Sequence, residues 1–352
     1  MSLEFPSLSL HVVTWNGMDV FPELCQSLQE QTIQDFRFLV IDNGSIDGIE
    51  GYVRAQMPQA VFLRNPKNLG FAAAHNQGIR YALEHWQERD FSSRFILVVN
   101  QDTIFSPTFI EELLKDAYAH PLTGAWGGKL LRAFREPVGE EGWKETIRSD
   151  VLDSTGLQAS RGRSFTDRGA GEMDQGHYDT SREVFGISGA VALYRAQALA
   201  DVRFEQEFFD ADFFSYKEDI DLAWRLQRAG WGARYVPEAV AYHHRGMYSK
   251  EQSSWWKKMR ERREQSTIRR YWSLRNHSFL LVKNLSVWEF VLASPWIVPR
   301  ELMRFLYVLF FETPQLKAFI DPWIILPRLW RKHRAIQQST RVSRKALSSW
   351  FF

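Results

Sequence analysis

The chain has 352 residues, 45% of them hydrophobic, enough for a sizeable core and too many for disorder to dominate. Its single cysteine, Cys25, excludes an internal disulfide and a cysteine-based zinc site, and fits a reducing cytosolic setting. The net charge of +2 hides an asymmetry: residues 250–352 carry 20 Lys+Arg against 7 Asp+Glu, leaving 24 against 35 for residues 1–249. An acidic body with a basic tail is not the charge pattern of a uniform nucleic-acid binder, so no nucleic-acid partner is expected.

In chain order, LSLHVVTW (Leu8–Trp15) reads as a buried strand. A loop and a helix follow, with apolar spacing at Phe21, Leu24 and Leu28. Phe36–Ile41 is a strand ending in a polar turn; Ile49–Gln56 is a helix, AVFLRN a short strand and FAAAHNQGIRYALEHW a helix. Phe95–Asp102 is a further strand of the same form, an apolar run ending in polar residues. Alternating strands and helices predict βαβ units and a mostly parallel α/β sheet, whose strand carboxyl ends form the ligand edge. Residues 135–183, rich in Gly, Asp, Glu, Arg and Ser, read as an inserted loop region within a body spanning residues 1–249. Apolar order returns at Val184–Leu199 and continues through a helix ending at Ala229 to a strand near RYVPEAVAYHH.

The remaining residues, 250–352, predict a basic amphipathic helical extension. It opens with a long helix over roughly Lys250–Arg275 and continues in short Trp- and Phe-rich helices broken by Pro295, Pro299, Pro322 and Pro327. No stretch reaches the roughly 18 uncharged apolar residues of a spanning helix, and the N-terminus lacks the pattern of a signal peptide. Aromatic-and-basic helices of this kind suit a peripheral position on the inner face of the cell membrane. Packing on the body or in a homodimer is the alternative.

The acids concentrate in FFDADFFSYKEDIDLAWRLQRAGW (Phe208–Trp231), where Asp210, Asp212, Glu218, Asp219 and Asp221 lie among aromatic residues. Partial burial there tunes carboxylate pKa values toward general-base work. In IDNGSIDG, Asp42 and Asn43 are placed to hydrogen-bond a pyrimidine, or to form an Asx turn with Gly44. In NPKNLGFAAAHNQG, Gly70 opens a helix whose amides suit a diphosphate, flanked by Asn68 and Asn76; a plain helix cap is the alternative. Asp102, in NQD, and His243, after a strand, are the candidate ligands for a hard divalent cation. Asp167 and Arg168 lie in a glycine-punctuated polar stretch that predicts a donor-sugar or acceptor lid, or else a surface insertion.

In order, VVTWN, IDNGSID, NLGFAAAHN, NQD, GISGAVALYR, FFSYKEDIDLAWRL and PEAVAYHH resemble the motif series of family 2 glycosyltransferases, in particular the bacterial rhamnosyltransferase-like branch. The resemblance covers residues 8–250, and less specifically LRNHSFLLVKN in the tail. It implies a GT-A fold, a Rossmann-like mixed sheet flanked by helices, and an inverting hexosyltransferase that uses nucleotide-diphosphate sugars. By the same resemblance Thr14, Trp15 and Asn16 line the nucleotide, Asp42 meets its base, Asp102 and His243 hold Mn²⁺ or Mg²⁺, and Asp219 is the catalytic base with Glu218 beside it. Gly189 and Asp221 fall on the donor-sugar and acceptor side, although Asp221 also suits a helix cap. Asn100 departs from the pattern, since many relatives carry an acid there.

The implied donor is dTDP- or UDP-linked, with dTDP-L-rhamnose foremost. The implied acceptor is a glycan or lipid-linked saccharide of cell-surface polysaccharide synthesis. Two other classes compete: a nucleotidyltransferase, whose basic Gly-rich N-terminal loop VVTWNGMD lacks, and a catalytically degenerate scaffold, which the intact KED triplet opposes.

Overall fold

The structure is a computed structural model that describes residues 6–87, 90–138, 143–244 and 266–351. Its centre is a sheet in the order β10-β12-β6-β11-β4-β1-β2-β3. The expected βαβ units build one half: β1 (Leu8–Thr14), β2 (Phe36–Asp42), β3 (Val61–Arg64) and β4 (Phe95–Asn100) pair in parallel. Between them run α1 (Phe21–Gln29), α2 (Ile49–Gln56) and α3 (Phe71–His85). The strands are apolar runs because helices cover both faces; Leu10, Val12, Val40, Leu97 and Val99 are fully buried. Register sets Thr14 opposite Asp42, and Val13 opposite Asn100, so these strands end along one edge.

The other half mixes directions. After β5 (Thr103–Phe105) and α4 (Phe109–Ala119) comes β6 (Thr123–Val138), followed by β7 (Trp143–Ser154), β8 (Leu157–Ala159), β9 (Phe165–Asp167) and β10 (Arg182–Val184). Next are β11 (Val191–Arg195), α5 (Ala196–Val202), α6 (Glu218–Ala229) and β12 (Gly232–His244). β11 runs antiparallel to β4, and β12 runs parallel to β6. The inserted loop expected over 135–183 is instead built of strands, with β7 returning antiparallel along β6. Much of β7 from Glu145 to Asp150 faces solvent, so it lacks the apolar alternation that marks a half-buried strand.

The boundary expected at residues 249 and 250 lies outside the described residues, as does the first part of the predicted basic helix. The described tail helices are Thr267–Asn284, Val287–Phe311, Lys317–Ile324, Leu326–Gln338 and Arg344–Ser348. Pro295 and Pro299 do not break the second of these but lie within it, and a capping box between Ser286 and Glu289 fixes its start. The tail shares a core with the body: Phe279, Leu280, Ile297, Leu329 and Phe351 cluster with Leu157, Phe185, Phe213, Ile220 and Trp224.

Candidate functional site

The strand ends, the turn before α6 and the first tail helix enclose a cavity of about 590 Å³. Asp102, Asp167, Gly189, Glu218, Asp219 and His243 line it, together with Lys217 and the tail residues Arg269 and Ser273. Asp102 follows β4, His243 is next to last in β12 and Gly189 precedes β11, so the sheet edge brings together residues far apart in sequence.

Asp219 is held by the backbone. Its Oδ2 accepts the Gly189 amide at 2.9 Å and its Oδ1 accepts the Ile220 amide at 2.8 Å. Burial raises its pKa, and the two amides and the Lys217 charge oppose that rise. A Cβ added at Gly189 would lie 3.2 Å from Asp219 Cβ, so glycine lets the strand approach the carboxylate. Burial, and then the charge of Asp219, push Glu218 up to about 8. Near neutrality Glu218 is therefore the protonated member of the pair, and Asp219, with its amide donors, is better placed to stay ionised and accept a proton.

The turn before this pair is strained. Phe214, Tyr216 and Lys217 all have positive φ, at 62°, 72° and 71°, values that cost free energy for residues other than glycine. The tail holds this turn: the fully buried Asn276 side-chain amide donates to the carbonyls of Phe213, Ser215 and Tyr216 at 2.9, 2.9 and 2.7 Å. Trp272 stacks on Phe214 at 5.0 Å. Sequence reasoning did not reach Asn276; its one signal was the tail stretch LRNHSFLLVKN.

On the other side of the cavity, His243 Nε2 lies 3.3 Å from Asp102 Oδ1, while its Nδ1 bonds Asp153 Oδ2 at 2.9 Å. Burial opposes protonation of the ring, but Asp102 and Asp153 push His243 up to about 10. A carboxylate behind a histidine that shares its free nitrogen with a second carboxylate suits a divalent cation. Among the described residues no group of three or more His, Cys, Asp or Glu is gathered to hold an ion. Asp102 and His243 fit a cation completed by ligand oxygens. Asp153 lay in the segment expected to be loop.

The nucleotide residues expected from sequence lie outside this cavity lining. Thr14 and Asp42 are fully buried: the Thr14 hydroxyl donates to Asp42 Oδ1 at 3.0 Å and the Ser45 amide to Oδ2 at 3.0 Å. In this structure both Asp42 oxygens are engaged within the chain, Oδ2 as the turn-forming alternative has it. Asn43 is a buried clamp, donating to Asn68 Oδ1 and the Gly70 carbonyl and accepting from Asn65. Gly70 does not open a free anion site, because its amide is taken by Asn68 Oδ1 at 2.8 Å and the Ala72 amide by the Phe214 carbonyl at 3.3 Å. With φ of 83° and Phe214 O 2.4 Å from where a Cβ would stand, Gly70 admits the strained turn. Asn76 is also structural, its amide bonding the backbone of Phe208 and Phe209. Trp15 remains 55% exposed at the edge, and Asn16, at φ 46°, accepts the Ile46 amide through Oδ1.

Two residues expected on the donor and acceptor side lie outside the cavity lining. Arg168 turns away from the cavity, donating to Thr155 and lying 4.5 Å from the Tyr178 ring centre. Asp221 is fully buried and bonded to Arg225, Lys283 and Asn284 at 2.9, 2.8 and 2.9 Å. Asp210 likewise meets Lys283 and Lys332, and Asp212 meets Lys332 and Arg328. The acidic cluster therefore divides: Glu218 and Asp219 serve the cavity, while Asp210, Asp212 and Asp221 dock the tail.

Comparison with known proteins shows the family. Residues 9–202 match the model of Glycosyl transferase family 2, and residues 156–320 that of Glycosyl transferase family group 2. The N-acetylglucosaminyl-diphospho-decaprenol L-rhamnosyltransferase of Mycobacterium tuberculosis is 29% identical over 248 residues, covering 68% of this chain and 76% of the relative. The poly-beta-1,6-N-acetyl-D-glucosamine synthase of Staphylococcus aureus is 22% identical over 242 residues, covering 68% of this chain and 50% of the relative. Among solved structures, GalNAc-T7 with UDP, GalNAc and Mn²⁺ superposes with a TM-score of 0.53 at 10% identity, over 79% of this chain and 48% of that one. S. aureus TarS gives 0.52 at 14% identity, over 98% and 50%. The chain thus spans about half the length of either structure, and both share its GT-A fold. With more than half of its length matched by the family model, the chain belongs to glycosyl transferase family 2 and is a glycosyltransferase.

Proposed function

We propose that this glycosyltransferase moves a sugar, with inversion, from a dTDP- or UDP-linked donor to a hydroxyl of a lipid-linked saccharide, and that L-rhamnose is the sugar. The observation that carries the reading is Asp219, fixed by two backbone amides in the same cavity as the Asp102–His243–Asp153 row. Asp219 accepts the acceptor hydroxyl's proton as that oxygen attacks the anomeric carbon from the face opposite the leaving diphosphate. One base and no covalent intermediate suffice for inversion, as in inverting glycoside chemistry. Asp102 and His243 would hold Mn²⁺ or Mg²⁺, which supplies positive charge to the departing diphosphate. Asp153 orients His243, and Asp167, on the cavity wall, lies where a donor sugar or acceptor is gripped.

The lipid-linked acceptor is supported by the M. tuberculosis relative, whose name specifies a diphospho-decaprenol substrate, and by the tail. Phe310, Leu292, Trp323 and Ile324 are 70–73% exposed, apolar and aromatic side chains of the kind that enter a membrane interface. Among the described residues no helix is long and apolar enough to cross a membrane. We place the enzyme on the inner face of the cell membrane, with these helices in the interface.

Thermal shift with a panel of nucleotide sugars, with and without Mn²⁺, identifies the donor, since a ligand at about 100 times its Kd stabilises by roughly 2.7 kcal/mol. The preferred donor should then release its nucleotide only with a lipid-linked saccharide present, and the product's anomeric configuration should be inverted by NMR. Retention of configuration, or no release with any donor, overturns the reading.

A further inference from the structure

The cavity's charge is uneven in a way that donor chemistry leaves unused. Lys217 and Arg269 line the wall beside Asp219, Lys217 from the strained turn and Arg269 from the first tail helix, its guanidinium 5.4 Å from the Tyr216 ring centre. Among the described residues neither has a carboxylate within salt-bridge distance. Arg300 and Arg304, whose charges act on Lys217, bond Glu301 at 2.8 and 2.9 Å, as does His277 at 3.1 Å. Burial and the charges of Arg304 and Arg300 lower Lys217 to about 8, partly offset by Asp219 and Glu301. Lys217 and Arg269, two cations on one cavity wall with no salt-bridge partner among the described residues, call for an anion.

The helix carrying Arg300 and Arg304 also indicates what bears that anion. Its inner side holds the two arginines, and its outer side presents Leu302, Met303, Phe305 and Leu306 to solvent. One helix thus carries charges that act on Lys217 in the cavity wall and, on its other side, an apolar exposed face. That combination suits an amphiphile: phosphate oxygens on the cations and an alkyl chain along the outside.

We propose that Lys217 and Arg269 form a receiving site for the phosphate or diphosphate of a lipid-linked acceptor, on the Asp219 side of the cavity and separate from the donor diphosphate at Asp102 and His243. The proposal rests on the transferase reading above and adds the group by which the acceptor is held. Electrostatic capture at this wall brings the sugar hydroxyl beside the base before transfer.

The test uses the full chain in EDTA, so that no cation supports a nucleotide at Asp102. Binding of undecyl diphosphate, undecyl maltoside and inorganic pyrophosphate is compared by tryptophan fluorescence. Two variants are used: Arg269→Gln, on an exposed helix position, and Lys217→Asn, because asparagine tolerates positive φ. Each variant should weaken undecyl diphosphate by roughly tenfold and leave the maltoside unchanged, the scale of one lost charge-assisted contact. Pyrophosphate binding as tightly as the lipid, with the same losses, supports the phosphate site but assigns it to a soluble anion. Equal binding of undecyl diphosphate by wild type and both variants overturns the proposal. Donor-dependent nucleotide release, measured separately, shows whether the transferase reading stands: its absence with intact diphosphate binding would sink that reading alone.

Discussion

At the scale of single residues, neighbours assign opposite roles to chemically equal groups. Glu218 and Asp219 are adjacent carboxylates, but only Asp219 receives two amides. Asp219→Asn keeps the shape and removes the proton acceptor, so transfer should fall by at least about a thousandfold while donor binding by thermal shift stays near wild type. Near-normal turnover in that variant removes Asp219 from the mechanism. Glu218 has a folded pKa raised to about 8, above the ordinary carboxylate value. Folded and unfolded states are both protonated in acid, and the penalty for burying the ionised group grows as pH rises through the folded pKa. Glu218→Gln carries no such penalty, so its Tm advantage over wild type should be larger at about pH 9 than at about pH 5. A constant difference across that range means Glu218 titrates normally. On the cation side, Asp153→Asn should weaken Mn²⁺ binding by about 10- to 100-fold, the usual cost of losing a carboxylate behind a ligating histidine; calorimetry with the metal alone measures it.

At the scale of elements, the turn between Phe213 and Lys217 is shaped by a helix more than fifty residues downstream. Asn276→Ala removes an amide bonded to three turn carbonyls and should cost about 2 kcal/mol of stability. If Asn276 positions the base through this turn, kcat falls further than stability accounts for, the donor KM holds, and Asn276→Gln restores part of kcat. A drop in Tm with unchanged kcat reduces Asn276 to a structural role. The tail also docks through Asp210 and Asp221: burial would raise their pKa values, but Lys283, with Lys332 at Asp210 and Arg225 at Asp221, lowers both. Depressed carboxylates contribute stability that is complete above the unfolded value of about 4 and is lost as pH falls below it. Acid should therefore loosen the tail, which hydrogen exchange in Thr267–Asn284 reports. Lys283→Met should cost about 3 kcal/mol at neutral pH, because it takes one of two cations from each of two buried carboxylates, leaving Asp210 to Lys332 and Asp221 to Arg225.

At the scale of the molecule, legibility in the sequence follows the source of each signal. The βαβ half could be read because its strands are buried on both faces and end in polar residues at one edge. The β6–β7 ribbon could not, since the solvent-facing part of β7 selects no apolar alternation. Asp102, Asp219 and His243 were legible from a series of motifs, and the cavity unites them. Asp42, Gly70 and Asn76, expected at the nucleotide, are bonded within the chain here, and sequence could not separate the two uses: hydrogen-bonding residues at a strand end look alike whether they serve a ligand or the backbone. For the tail, composition pointed to a membrane-facing appendage, but no periodicity could reveal that its inner side completes the core around Trp224. Both faces of the tail make a whole-molecule prediction. Vesicles with anionic lipid should bind the full chain, and Phe310→Ser with Trp323→Ser should weaken that partition by roughly tenfold or more without lowering Tm, as expected for exposed apolar anchors.

The Asn276 clamp has a consequence for the order of events during synthesis. The body, through β12, leaves the ribosome before Asn276 does, so the nascent chain holds its base on a turn that still lacks the three Asn276 hydrogen bonds. Thr14, Asp42 and the parallel strands can assemble early, while the acceptor wall and the poised carboxylate arrive together with the first tail helix. Until that helix is made, the nascent chain carries Asp102, His243 and Asp219 but neither Arg269 on the cavity wall nor the Asn276 amide beneath the turn.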